Sequence, residues 1–152
     1  MYTCTKTYRD IPFAHRQHGH SGHCKNVHGH NWSFTFEFGC DELDENGFIY
    51  DFGKLKFIRD WLDENFDHAF VYNGADTDAK NMISDYPQLF KPYQVESCST
   101  EGLARHLYEI FAPEIKSLTS DRVKILSIEV FEDSKNSAKY THPHPHSAKY
   151  TP

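Results

Sequence analysis

The sequence has no C-x-x-C pair, no long apolar run and no basic cluster, and each absence removes a class of protein. Cys4, Cys24, Cys40 and Cys98 are scattered singly. That pattern excludes a disulfide framework and a thiolate zinc finger, and any cysteine that matters is expected to act as a thiol. No apolar stretch approaches the ~18 residues of a membrane span, and the opening MYTCTKTYRD carries no apolar leader region. The chain therefore reads as cytosolic, with no membrane partner. Sixteen Lys and Arg stand against twenty-two Asp and Glu, a formal charge of −6, with no stripe of cations to track a phosphate backbone. Nucleic acid is not the expected partner.

Aromatic residues are plentiful: twelve Phe and nine Tyr in 152 residues suit a core of rings packed on a sheet. The length fits one domain, placed at residues 1–140, with 141–152 read as a mobile His/Pro-rich tail; SAKYT occurs twice, at 137–141 and 147–151, around three histidines and two His-Pro steps. From His30 the segment NWSFTFEF alternates strictly, with Trp32, Phe34, Phe36 and Phe38 on one side, the mark of a half-buried strand. YTCTKTYRD alternates too and supplies another strand. DENG at 44–47 is a turn signal, and FIYDF after it is expected to return as the second arm of a hairpin. Beyond Asp51, a helix cap, the period changes. Phe52, Leu55, Ile58, Trp61, Leu62 and Phe66 recur at helical steps. A second helix, capped by Ser99 or Thr100, carries Leu103, Leu107, Ile110 and Phe111, with Pro113 expected to kink or end it. The polar stretch 73–94 holds at most a short helix near Ala79–Asp85. RVKILSIEVFED closes the pattern as a strand with Leu126, Ile128, Val130 and Glu132 in one row. Strands, helices, strands give an α+β domain of order ββααββ, an antiparallel sheet covered by two helices on one face.

HSGHCKNVHGHNW, residues 20–32, concentrates four histidines and a cysteine. His28 and His30, two apart on a strand, face the same side and form a ready pair of ligands. His15, at the end of the preceding β segment, can be brought alongside by strand pairing. Three neutral imidazoles leave the fourth position of Zn²⁺ open, as in catalytic zinc sites. His18, His20 and His23 fall in the intervening loop and read as solvated or as supports behind the ligands. Taken by itself, Cys24 fits equally a ligand or a nearby base whose thiol is activated by a His held by a carboxylate. Asp67 and His68 are an adjacent candidate for that pair. Glu132 puts a carboxylate at the end of a core-facing row, where it needs a hydrogen-bonding partner.

FAHR, HCKNVHGHNW, DENGFIYDFGKLK, FDHAF, STEGLA and VFED occur in the order and approximate spacing of the 6-pyruvoyl-tetrahydropterin synthase family. The chain resembles that family from about Cys4 to Tyr140, and its Cys-x-x-x-His-Gly-His spacing is most like the 6-carboxytetrahydropterin synthase branch. The resemblance implies zinc on His15, His28 and His30, a catalytic thiol at Cys24 with Asp67 and His68 as its partners, and substrate binding by Thr100, Glu101 and Glu132. It further implies the tunnelling fold, a pterin triphosphate substrate and a homo-hexamer of two trimers with active sites between subunits. The activity implied is conversion of 7,8-dihydroneopterin triphosphate to 6-carboxy-5,6,7,8-tetrahydropterin in queuosine synthesis. Alternatives are triphosphate elimination to the pyruvoyl product and, from another class, a non-catalytic zinc- or pterin-binding scaffold.

Overall fold

Two long antiparallel strands carry the fold of this computed structural model, which describes residues 1–141. Strand β1 (Tyr2–His15) pairs with β2 (His28–Cys40) from Tyr2↔Cys40 to His15↔His28. The alternation of β2 is obeyed along its whole length: Trp32, Phe34, Phe36 and Phe38 are fully buried. Burying one such side chain contributes roughly 1.5–3 kcal/mol, and a one-residue slip would expose all four, so the register of β2 is strongly specified.

β1 does not keep one parity. Tyr8 pairs with Phe34 but Ile11 pairs with Trp32, so β1 spends one residue more than β2 across this step. The β-bulge at Arg9–Asp10 reverses which side the following residues face. Before it Tyr8 points to the core; after it Ile11, Phe13 and His15 do. Asp10 pays for the kink with a left-handed φ of 60°, and Asn31 Nδ2 holds it by donating to its carboxylate at 3.0 Å.

Helix α1 (Lys56–Asn65) follows a 3₁₀ turn, Phe52–Leu55, whose cap Asp51 accepts from Gly53 N. Strand β3 (Phe70–Asn73), α2 (Thr77–Asp85) and β4 (Pro92–Val95) come next. Helix α3 (Thr100–Leu118), capped by Ser99, contains Pro113 in its interior without ending there. Strands β5 (Lys124–Phe131) and β6 (Ser137–Thr141) complete a six-stranded sheet of order β4-β3-β1-β2-β5-β6. The buried residues of α1 and α3 join those of the sheet in one core. The opposite side of β1, β2 and β5 is polar, with Thr7 bonded to Thr35 and Ser127 to Glu37.

The α+β class holds, and four details differ from the sequence reading. FIYDF forms no hairpin arm: β2 is flanked by β1 and β5, and 48–51 is a loop pinned by Arg122, which donates to the carbonyls of Glu42 and Ile49. The short helix expected near Ala79–Asp85 is α2, but the stretch 73–94 also contributes most of β4, and β3 pairs in parallel with β1 on one side and with β4 on the other, so the sheet is mixed. In β5 a bulge opposite Glu37/Phe38 puts Ile125 in the core, where unbroken alternation would have put Leu126. The first SAKYT is strand β6 and not tail; the second copy and the His-Pro steps, 142–152, lie outside the described residues.

Candidate metal centre and active site

The alternation of β2 sends His28 and His30 to the side of Trp32, and the bulge in β1 turns His15 to that same side. The three rings gather there, with centroids 4.7 Å apart for His15–His28, 5.3 Å for His15–His30 and 5.0 Å for His28–His30. One nitrogen of each lies within 4.8 Å of the other two. Trp32 walls the cluster, its ring 4.9 Å from His15 and 5.1 Å from His30.

Two of the rings are aimed by backbone carbonyls. His15 Nδ1 donates to Cys98 O at 2.8 Å and His28 Nδ1 to Asn26 O at 2.7 Å, which leaves Nε2 as the lone-pair nitrogen in both. Nε2 of His15 and Nε2 of His30 are buried without a hydrogen-bond partner. A buried polar atom left so costs roughly 1–3 kcal/mol, and a cation shared by the three nitrogens removes that cost. Burial lowers the pKa of His15 to about 4, the Cys98 carbonyl opposing and the neighbouring His28 and His30 adding to it. The imidazole is therefore neutral at pH 7, the form that ligates metal. The donor set, three imidazoles with none of the other described His, Cys, Asp or Glu joining it, fits a divalent transition metal with an open coordination position.

Cys98 and Asn26 entered the site through their carbonyls, which no side-chain pattern reveals. Cys98 precedes α3, and Ser99 Oγ accepts from Gly102 N at 3.0 Å. A Cβ on Gly102 would stand 2.7 Å from the Ser97 carbonyl, so this tight turn requires glycine. The Cys98 thiol is itself inert: burial, with Asp76 adding, pushes its pKa up to about 12. Next to His15, Arg16 Nε pairs at 2.9 Å with Asp76, a buried carboxylate that also caps α2 through Ala79 N. This pair ties the end of β1 to α2.

Glu132 follows β5, its Oε2 3.8 Å from His30 Nε2. Its N–H donates to Asn136 O, closing a turn in which the Asp133 carboxylate accepts from the N–H groups of Lys135 and Asn136. Glu132 and His30 line a cleft of about 650 Å³ with Thr7, Arg9, Ser33 and Thr35. Thr100 and Glu101 open α3 two and three residues beyond Cys98, Thr100 Oγ1 donating to Glu101 at 3.2 Å. Cys24 lies in a 3₁₀ turn, His23–Lys25, half-buried, its carbonyl accepting from Gln17 N. His18, His20 and His23 are exposed in the same loop. His68 Nδ1 donates to Asp67 Oδ1 at 2.8 Å, forming the expected pair, but the His68 side chain is 80% exposed and makes no ring contact with the three-histidine cluster among the described residues. His68 adopts φ 59° and donates its N–H to Pro12 O, which sets the pair beside β1.

Comparison with known proteins follows the same lines. The 6-pyruvoyl tetrahydropterin synthase family profile matches residues 3–143. Among curated proteins, the 6-carboxy-5,6,7,8-tetrahydropterin synthase of Haemophilus influenzae is 32% identical over 92% of this chain and 99% of its own. The protein of that name from Rickettsia bellii is 28% identical over 87% and 94%. Among solved structures, an uncharacterized protein of Wolinella succinogenes superposes with a TM-score of 0.83 at 19% identity, covering 93% of this chain and 98% of that one. The 6-pyruvoyltetrahydropterin synthase of Plasmodium vivax does so at 0.65 and 17%, over 93% and 99%. In sequence and in fold, this chain belongs to the 6-pyruvoyl tetrahydropterin synthase family.

Proposed function

We propose that this protein is a zinc-dependent lyase that converts 7,8-dihydroneopterin triphosphate and one water to 6-carboxy-5,6,7,8-tetrahydropterin, releasing acetaldehyde and triphosphate on the route to queuosine. The observation that carries this reading is the gathering of His15, His28 and His30, two of them aimed by carbonyls, inside a chain of this family. The names of the curated relatives and the Cys24-to-His28 spacing support the carboxy product over the pyruvoyl one.

His15, His28 and His30 would hold the zinc, which when bound acidifies the hydroxyls of the three-carbon side chain and the C–H beside them. Glu132 anchors the pterin, its two oxygens accepting from the 2-amino group and a ring N–H. Thr100 and Glu101 hold the substrate at the start of α3. Cys24, as thiolate, takes a proton from the side chain. Asp67 fixes the His68 tautomer through Nδ1 and leaves Nε2 to relay that proton. The exposure of Asp67–His68 in one chain and the outer strands β4 and β6 support a homo-hexamer in which subunit contacts cover the edges and complete the sites.

The test is to incubate the zinc-loaded protein with 7,8-dihydroneopterin triphosphate and identify products by mass spectrometry. Carboxytetrahydropterin with stoichiometric acetaldehyde is expected. A pyruvoyl pterin with its carbon chain intact and no aldehyde would move the protein to the other activity of its family.

A further inference from the structure

We infer that the cleft beside the β1 bulge, where Lys6, Arg9, Lys56 and Arg59 converge, seats the triphosphate of the substrate. The ligand's identity rests on the pterin triphosphate reading above; the location rests on this chain's own cations.

The chain carries six more acidic than basic side chains, yet this cleft of about 590 Å³ gathers four cations around one carboxylate, Asp10. That carboxylate is already engaged, accepting from Asn31. Lys56 and Arg59 pair with Asp60 and Asp63 one turn further along α1, exposed i,i+4 pairs whose contribution is small and which a multiply charged anion can outcompete. Lys6 Nζ is held 6.0 Å from the Tyr8 ring and 5.9 Å from the Phe52 ring.

Position joins this cleft to the metal centre. It shares Thr7 and Arg9 with the cleft that holds His30 and Glu132. Arg9 is set by the bulge itself: its carbonyl accepts from Arg59 Nη1 at 3.1 Å, and its neighbour Asp10 is bound to Asn31, next in sequence to His30. The same extra residue that turns His15 toward the metal thus places Arg9 between the two clefts, where a substrate with its pterin at Glu132 would send its phosphates. Guanidinium groups suit this role because their planar donors match phosphate oxygens in pairs.

The test uses the zinc-loaded full chain and the oxidised, unreactive analogues neopterin triphosphate and neopterin, with pterin fluorescence as the binding signal. Arg9→Gln and Lys56→Gln are expected to weaken neopterin triphosphate roughly tenfold each, the size of one charge-assisted hydrogen bond, while leaving neopterin affinity and zinc content unchanged. Rising salt should erase the advantage of the triphosphate over neopterin in the wild type. Lys56 is exposed on α1, so its variant reports even if Arg9→Gln disturbs the bulge. Unchanged triphosphate affinity in Lys56→Gln and Arg9→Gln, or an equal loss for both analogues, would overturn the assignment. A wild type that binds neither analogue sinks the pterin reading itself, a result separable from a phosphate preference that ignores these cations.

Discussion

Two sets of proton-active side chains are held by this chain in different ways. His15, buried, and His28 and His30, half-buried, stand on the paired strands β1 and β2, with Trp32 against His15 and His30, and two of them are aimed by the Cys98 and Asn26 carbonyls. Asp67 and His68 bond to each other at the surface, and Cys24 rides a short turn in the loop between β1 and β2. The contrast teaches what a single chain can organise by itself. The three histidines are pre-positioned by the paired strands β1 and β2, so the cost of ordering them is met during folding. Cys24, Asp67 and His68 are placed by loops, and on the proposed reading they gain their working surroundings from substrate and neighbouring subunits.

The largest expected effect breaks the buried half of this comparison. His15→Ala should abolish zinc binding and turnover together, by more than the ~10–100-fold that loss of a ligand's hydrogen-bond partner costs; full metal occupancy by elemental analysis would show that the cluster is not the metal site. Next in size, Cys24→Ala and His68→Ala should keep full zinc occupancy while lowering turnover by roughly 10²–10⁴-fold. His68 is exposed but adopts φ 59°, so its alanine variant should lose no more than about 1–2 kcal/mol of stability, too little to unfold the protein. Metal loss on changing Cys24 would make that sulfur a ligand and erase the distinction between the two sets. The smallest effect tests the bulge. Asp10→Val puts a β-branched residue at φ 60° and should cost about 1–2 kcal/mol and loosen zinc several-fold, whereas Asp10→Gly removes the strain and should cost less. Equal zinc affinity in the two variants would disconnect the bulge from His15.

Much of the site was legible because its residues are short-range. His28 and His30 lie two apart in a run whose alternation continues through Phe38, and that row is buried as the pattern required. The Asp67–His68 bond is local too. The features without a local signal depend on partners far away in sequence. The hairpin expected after DENG failed because β5, some eighty residues later, takes the place beside β2. A parallel pair such as β3 and β4 has no turn between its strands to announce it. Four cations that share a cleft, Lys6 and Arg9 with Lys56 and Arg59, are not a cluster in the sequence at all.

The amino-acid pattern by itself determined the strands β1 and β2, the amphipathic helices, the row of rings that fills the core, and the two histidines that share one face of a strand, because each follows from local periodicity. Only the tertiary structure decided that His15 joins them. One extra residue at Arg9–Asp10 inverts the parity of β1, and the carbonyl that aims the ring comes from Cys98, 83 positions away. Backbone groups are the same for nearly every residue type, so where a chain puts them is settled by packing and not by composition.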